Sequence, residues 1–593
     1  MAHRTKLAPG KPARAVLSSL LALTLALAAP LAALAQEEEQ APARGPRVAT
    51  GGDLVGYSSI HHPTIGRDGM VVSQNKIAAR IGADILRKGG NAVDAAVAVG
   101  IAEALTLPRA GNLGGGGYML VYNAADQKTT AIEYYGEAPS EVTPDFLLGA
   151  DGKVDRNKVL SFKGSTVPGT VAGLFEAHKR FGKLPWAQLI QPTIDLATSG
   201  VILSDDEATT LAGRKAQMAK DPGGAAKLFF KKDGSAYKPG EVFKNPELAW
   251  SLKQIQARGA DGFYKGPLAE KLVAGVKAGG GIISLKDLAA YRANVKEPIW
   301  SSYRGYKIAY MPPTSAASSV AEAMNIIEQF PMASYGQGGV NEMHLVAEAL
   351  KIVTVDRRYS GGTPQWHTPA TGIASKDFAK ERAKLISMDR SLDGKTLPKL
   401  DPTPYEGRDT TQFTVADKYG NVVSNTYTLT DSFGAHVVAP GTGFLLNNSL
   451  GNFDWNNPPN SLGNRIEPGK RAQSTISPLI VFKDGKPWLA TGTPGGGTIL
   501  GTMVQMLINV IDFKLNVAEA AERPRIYQAG ADGALQLEEA IPEDLVAGLV
   551  AKGHKVERSQ IIGSTQSIMI GPDGVFYGAA DTRRPDSQAV PVR

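Results

Sequence analysis

From Gly69 the apolar positions fall into readable periods. Ile77, Ile81 and Ile85 recur every four residues and predict a helix that Gly89-Gly90 ends. Asn91, with Asp94 three residues on, predicts the cap of a second helix. That helix is Ala/Val-rich nearly all round, so it should be buried. "GNLGGGGYMLVY" reads as a glycine-rich turn running into a strand; it has no Walker lysine and no following helix, which points to close backbone approach rather than phosphate binding. "PGTVAGLFEAHKRFGKLP" and "VNEMHLVAEALKIVTVDRR" read as amphipathic helices.

The pattern changes near Asp401. "DPTPYEGRD" is a turn-rich linker, and behind it Thr411, Phe413 and Val415 alternate with Gln412, Thr414 and Ala416. "DKYGN" then turns the chain into "VVSNTYTLT", a β-hairpin. A four-residue loop, Lys418 to Asn421, would pair Asp417 with Val422 and set Thr410 and Thr411 opposite Leu429 and Thr428. The Thr428 hydroxyl should then lie near both threonines. "LATGTPGGGTI" again runs a strand into glycines. Neither an internal repeat nor a low-complexity tract interrupts the chain.

At 593 residues the chain needs several domains or one large layered fold. A net charge of +7, without a dense Lys/Arg stripe interleaved with aromatics, gives no support to nucleic-acid binding. With no cysteine, disulfides and zinc-thiolate sites are excluded. The first 35 residues read as a secretory signal: a basic front, the run "AVLSSLLALTLALAAPLAALA", and a small-x-small end at Ala33-Leu34-Ala35. Pro30 and the acidic "EEE" behind favour a cleaved signal over a membrane anchor. Residues 36–53 read as a flexible leader. No later apolar run reaches the roughly 20 residues of a spanning helix, so a periplasmic or secreted protein is expected.

A threonine hydroxyl is a poor nucleophile unless a base accompanies it. A threonine at a chain N-terminus carries one, its own α-amino group with a pKa near 8. The turn-rich segment before Thr410 is a suitable place for the cut this requires. "ILRKGGNAVDAAVAV", "GNLGGGGYML", "VPGTVAGL", "DTTQFTVADKYGNVVSNTYTLTDSFG", "GFLLNN", "KRAQSTISPLIVFKDGKPWLATGTPGGG" and "GSTQSIMIGPDGVFYGAAD" together resemble the γ-glutamyltransferase family. The resemblance covers roughly Gly69 to Asp581.

That resemblance implies an N-terminal-nucleophile hydrolase with an αββα sandwich, cut by itself into a large chain (36–409) and a small chain (410–593) that stay together as a heterodimer. It implies that Thr410 attacks the Asp409 carbonyl in the precursor and a substrate amide in the mature enzyme, with no cofactor. Thr428 matches the threonine that hydrogen-bonds the nucleophile. Gly495 and Gly496 match the oxyanion-hole glycines, and Ser474 and Thr475 match the serine pair that helps hold the substrate carboxylate.

The chain departs from the family at the grip on the glutamyl head. The family's Phe-Arg-Glu ahead of x-Ala-Pro is Tyr134-Tyr135-Gly136, so Tyr135 replaces the carboxylate-binding arginine. Thr430 stands for an asparagine that contacts the ammonium. After "LLNN" come Ser449, Leu450, Gly451 and Asn452, so Asn452 replaces the ammonium-binding aspartate. Losing one partner of a buried charge pair costs about 2–5 kcal/mol. Arg109 is one candidate substitute cation, against the reading of a surface arginine. The hydroxyls of Tyr134, Tyr135, Ser449 and Ser474 point to a polar, less charged pocket. Three readings follow: a divergent γ-glutamyltransferase acting on γ-glutamyl amides such as glutathione, an acylase for a non-zwitterionic group such as glutaryl, or a non-catalytic periplasmic binding protein. The adjacent pair His61-His62 makes a poor metal site, and His436 reads as structural.

Overall fold

Strand Gly69–Ser73 shows why two sheets form. Val71 packs among helices, while Met70 and Val72 pack into a second apolar cluster on the opposite face. Both faces being apolar, the strand must be covered on both sides. The structure, a computed structural model, describes residues 59–357, 369–399, 413–456 and 463–593. The signal segment, the linker before Thr410, and Asp409, Thr410 and Thr411 themselves lie outside the described residues.

One seven-stranded sheet runs Gln588–Val592, Gly69–Ser73, Phe413–Asp417, Val422–Thr428, Gly116–Asn123, Lys128–Glu133, Asn294–Lys296. The second runs Thr64–Gly66, Phe576–Ala580, Gln566–Ile570, Lys486–Thr491, Leu479–Lys483, Tyr306–Tyr310, Ile299–Tyr303. The sheets are joined across the core by Thr414 Oγ1 donating to the Gln566 carbonyl (2.9 Å) and Ser424 Oγ to that of Thr491 (3.2 Å). Helices Lys76–Arg87, Ala92–Thr106 and Thr170–Phe181 cover the first sheet, and helices Ala317–Ile327 and Ile499–Ile511 pack with the second. The layering is α, β, β, α, as the resemblance implied.

The two N-terminal helices follow the sequence closely. Asn75 accepts from the N–H groups of Ile77 and Ala78 and starts the first, which ends at Arg87 ahead of Gly89. Asn91 and Asp94 form a reciprocal capping box on the second, every residue of which is buried. Helix Val340–Asp356 differs from its amphipathic reading and is buried over most of its circumference. Three of its charged positions are matched inside the protein: Lys351 meets Glu348 at 2.8 Å, and Asp356 meets Arg382 through two hydrogen bonds at 2.7 and 2.9 Å.

The hairpin forms, but one residue out of the expected register. Ala416, not Asp417, pairs with Val422. Asp417 is consumed by the turn: its Oδ1 accepts from the N–H groups of Tyr419 and Asn421 (2.8 and 3.0 Å), and its own N–H donates to the Asn421 carbonyl. Its Oδ2 also caps the second helix at Ala92 N (2.7 Å), so the turn is tied to the helical layer.

Candidate active site

The glycine-rich turn is where the backbone closes around the strand end at Thr428. Gly116 pairs with Thr428, and a Cβ on Gly115 would stand 2.3 Å from the Thr428 carbonyl oxygen. A Cβ on Gly114 would meet the Leu445 carbonyl at 2.0 Å. Close approach, not anion binding, explains these glycines.

Thr428 is then held by its own chain. Its Oγ1 accepts from the Thr430 N–H at 2.8 Å, and Thr430 takes φ = +85°, a conformation that strains a β-branched residue. From Thr430 a chain of side chains runs along the wall. Its Oγ1 lies 2.6 Å from Ser449 Oγ and 3.3 Å from the Tyr135 hydroxyl, which accepts from Asn452 Nδ2 at 2.9 Å. Asn464 Nδ2 in turn donates to the Asn452 carbonyl (2.6 Å), and Asn464 Oδ1 accepts from the Gln473 N–H (2.6 Å). Tyr135 also stacks on Tyr118 at 5.4 Å.

Opposite, strand Lys486–Thr491 runs out into Gly495 and Gly496, which take φ = +138° and +56°. A Cβ at Gly495 would stand 2.3 Å from Thr498 Oγ1, whereas nothing lies within 4 Å of one at Gly496. Among the described residues their N–H groups have no acceptor. They are therefore available as donors.

These groups share one cleft of about 530 Å³, lined by Arg109, Tyr135, Thr428, Thr430, Asn452, Ser474, Thr475, Gly495 and Gly496 among others. Ser449 stands behind Thr430. Tyr134 does not reach the cleft: it is fully buried on the helical side, its hydroxyl donating to Asn425 Oδ1 at 2.5 Å. A larger groove of about 790 Å³, beside strand Asn294–Lys296, holds none of the candidate residues.

Arg109 lines the cleft but is anchored. It pairs with Asp206 and with Glu207 (3.1 Å) and donates to Thr210 Oγ1 (2.9 Å). Burial pushes the Glu207 carboxyl up to about 7 even beside this cation. Sequence reasoning missed two further arginines in the cleft, Arg357 and Arg584. Nothing in their local patterns marked them, because the fold brings them there from a helix end and from the C-terminal segment.

His436 lies outside the cleft, in a separate cavity with Phe162 and Asp221; burial, and after it the Arg214 cation, pushes its imidazole down to about 4. The structure also assembles a buried trio that the sequence did not show: His344, Glu348 and His554. His344 Nδ1 and His554 Nε2 are 2.7 Å apart. The Lys351 ammonium occupies the Glu348 carboxylate, which disfavours a dication there.

The αββα layering and a cleft built where strands of both sheets end define an enzyme of the N-terminal-nucleophile hydrolase class. The γ-glutamyltranspeptidase family profile matches residues 78–591, and the chain belongs to that family. It is 41% identical over 537 residues to a glutathione hydrolase proenzyme of Escherichia coli (strain K12), covering 89% of this chain and 92% of the relative. It is 38% identical over 550 residues to the acylase ACY 1 proenzyme of Pseudomonas sp. (strain V22), covering 91% and 95%. Among solved structures, a cephalosporin acylase from Bacillus halodurans superposes with a TM-score of 0.82 at 29% identity, covering 92% of this chain and 100% of that one. Among the described residues no helix is long and apolar enough to cross a membrane.

Proposed function

We propose that Thr410 is the nucleophile of a self-processing amidohydrolase and acyltransferase, freed by cleavage of the Asp409–Thr410 bond into chains 36–409 and 410–593. The supporting observation is the convergence of Thr428, Ser474, Thr475 and the Gly495-Gly496 donors on one cleft. Thr410 precedes Phe413 by three residues, and Thr428 follows Asn425, the partner of Phe413, by three. In this mechanism the Thr410 hydroxyl attacks an amide carbonyl while its α-amino group takes the proton. The Gly495 and Gly496 N–H groups receive the oxyanion, each such donor contributing roughly 3–4 kcal/mol. The proton passes to the leaving amine, and water or a second amine resolves the ester. The donor would be a γ-glutamyl amide such as glutathione or a related acyl amide. The N-terminal signal pattern supports export to a periplasm or the medium. On a denaturing gel, purified protein should give two bands, the smaller beginning at Thr410 by N-terminal sequencing; one uncut chain would sink the maturation step.

A second reading, an acylase for a group without a zwitterionic head, is favoured by the hydrogen bond between Asn452 and Tyr135. The two residues that replace the family's charged grips satisfy each other and leave neither a cation nor an anion at those positions. The nearby Asp431 carboxylate is taken by Arg156 and by Asn448 Nδ2 (2.7 Å). The expected result is that glutaryl-p-nitroanilide is turned over at least about tenfold better, in kcat/KM, than γ-glutamyl-p-nitroanilide. The reverse preference would return the protein to γ-glutamyl substrates.

A further inference from the structure

The lining of the cleft carries more positive than negative charge. Among the described residues its lining holds three arginines, Arg109, Arg357 and Arg584, and one carboxylate, Asp431. Asp431 is occupied by Arg156 and Asn448, and Arg109 by Asp206 and Glu207. Arg357 reaches Gln473 Oε1 at 3.5 Å.

The other charged residues of the C-terminal turn that carries Arg584 are paired. Arg583 grips Asp581 through Nε (2.8 Å) and Nη2 (2.7 Å) and reaches Glu538 at 2.6 Å. Asp581 is shared with Arg525 at 2.9 Å. Asp586 is taken by Lys76 (3.1 Å) and Ser204. The backbone is fixed by Arg584 N–H donating to the Asp581 carbonyl (3.2 Å) and Ser587 N–H to that of Arg584 (3.1 Å). Among the described residues the Arg584 guanidinium has no ion pair, and its buried Nε has no acceptor.

We infer that Arg584 is the specificity-determining residue that receives a carboxylate at the far end of the acyl group, so that the preferred donor is the monoamide of a dicarboxylic acid. This rests on the second reading above. Arg584 is half-buried, and a guanidinium partly withdrawn from water without an ion pair is best relieved by a carboxylate, the planar partner that accepts two parallel hydrogen bonds. Burial, followed by the Arg109 cation, pushes the Arg584 guanidinium below its ordinary pKa, and the Asp206 and Asp581 carboxylates do not offset it. An α-ammonium on the acyl group would add a third positive charge beside Arg109 and Arg584, with Asn452 in place of the aspartate that would answer it. A carboxylate without the amine meets no such penalty.

The test compares the p-nitroanilides of glutaric acid and of glutaramic acid, which differ only in a terminal carboxylate against a neutral amide. The wild-type mature enzyme should prefer the carboxylate, and Arg584→Gln should lose about tenfold or more of that preference through KM. Arg584→Lys, a point charge without the planar fork, should keep part of it; this variant also serves if the glutamine variant does not fold. An unchanged preference in either variant overturns the inference. Calorimetric titration with glutarate separates this claim from the reaction. If no anilide is hydrolysed, yet glutarate binds wild type and not Arg584→Gln, the anchor stands and the acylase reading falls. Equal glutarate binding to both proteins overturns the anchor.

Discussion

A Thr410→Ala variant should remain a single chain and lose turnover by on the order of 10⁴-fold or more. Both losses have one cause, because the same hydroxyl is proposed to open the Asp409–Thr410 bond and later the substrate amide. Oxyanion donors alone leave only a residual rate when a nucleophile is removed. Thr410→Ser keeps the hydroxyl and should still be cut, which separates loss of the nucleophile from misfolding. In the mature enzyme the proposed base is the Thr410 α-amino group, whose ordinary pKa is near 8, so kcat/KM should rise with pH as that amine deprotonates. Gel electrophoresis, N-terminal sequencing and a p-nitroanilide assay read all three. Cleavage of Thr410→Ala at the same bond would eliminate Thr410 as the processing nucleophile.

How much of this was legible depended on whether the signal was local. The capping box at Asn91 and Asp94 and the glycine turn before Tyr118 were readable because caps and close backbone contacts are written within a few residues. The hairpin register missed by one because Asp417 was expected to pair with Val422, whereas it closes the turn against Asn421 and its carboxylate binds helix Ala92–Thr106, 325 residues away. Helix Val340–Asp356 read as half-exposed because Glu348, Lys351 and Asp356 looked like a solvated face; their partners, Ser391 and Arg382 among them, lie beyond the helix. Arg109 looked available for the same reason, since Asp206 and Glu207 come from a distant helix. Tyr134 and Tyr135 looked equivalent, but adjacent residues project to opposite faces, and only Tyr135 reaches the cleft. In each case the sequence named the group and the tertiary pairing decided its role.

The other large effect is expected at Glu133, which never touches the cleft. It is fully buried where strand Lys128–Glu133 hands over to Tyr135. Its Oε2 meets Lys296 at 2.7 Å and Arg471 at 3.5 Å, and its Oε1 accepts from Thr314 Oγ1 at 2.9 Å. Arg471 also donates to the Glu133 carbonyl (3.2 Å) and stands three residues before Ser474. One carboxylate thus links the segment bearing Tyr135 to the segment bearing Ser474 and Thr475. Burial alone would raise its pKa, but the Lys296 and Arg471 cations win and hold it near 2, below its ordinary 4.5. A folded pKa that low contributes roughly 3 kcal/mol of stability at neutral pH, fully present above about 4.5 and lost as pH falls toward 2. Glu133→Gln removes that charge, leaving Lys296 without its carboxylate and Arg471 with Glu137 alone at 3.4 Å, so a loss of about 3 kcal/mol or more is expected at pH 7. Thermal unfolding is best compared in the uncut Thr410→Ala background, where subunit dissociation does not intrude. The gap in Tm between chains with and without the Glu133→Gln substitution should be wide at pH 7 and narrow steadily below pH 4.5. A Tm unchanged at pH 7 would show that the surrounding hydrogen bonds, rather than the charge, hold the two segments together; a gap that persists undiminished to pH 2 would assign it to packing.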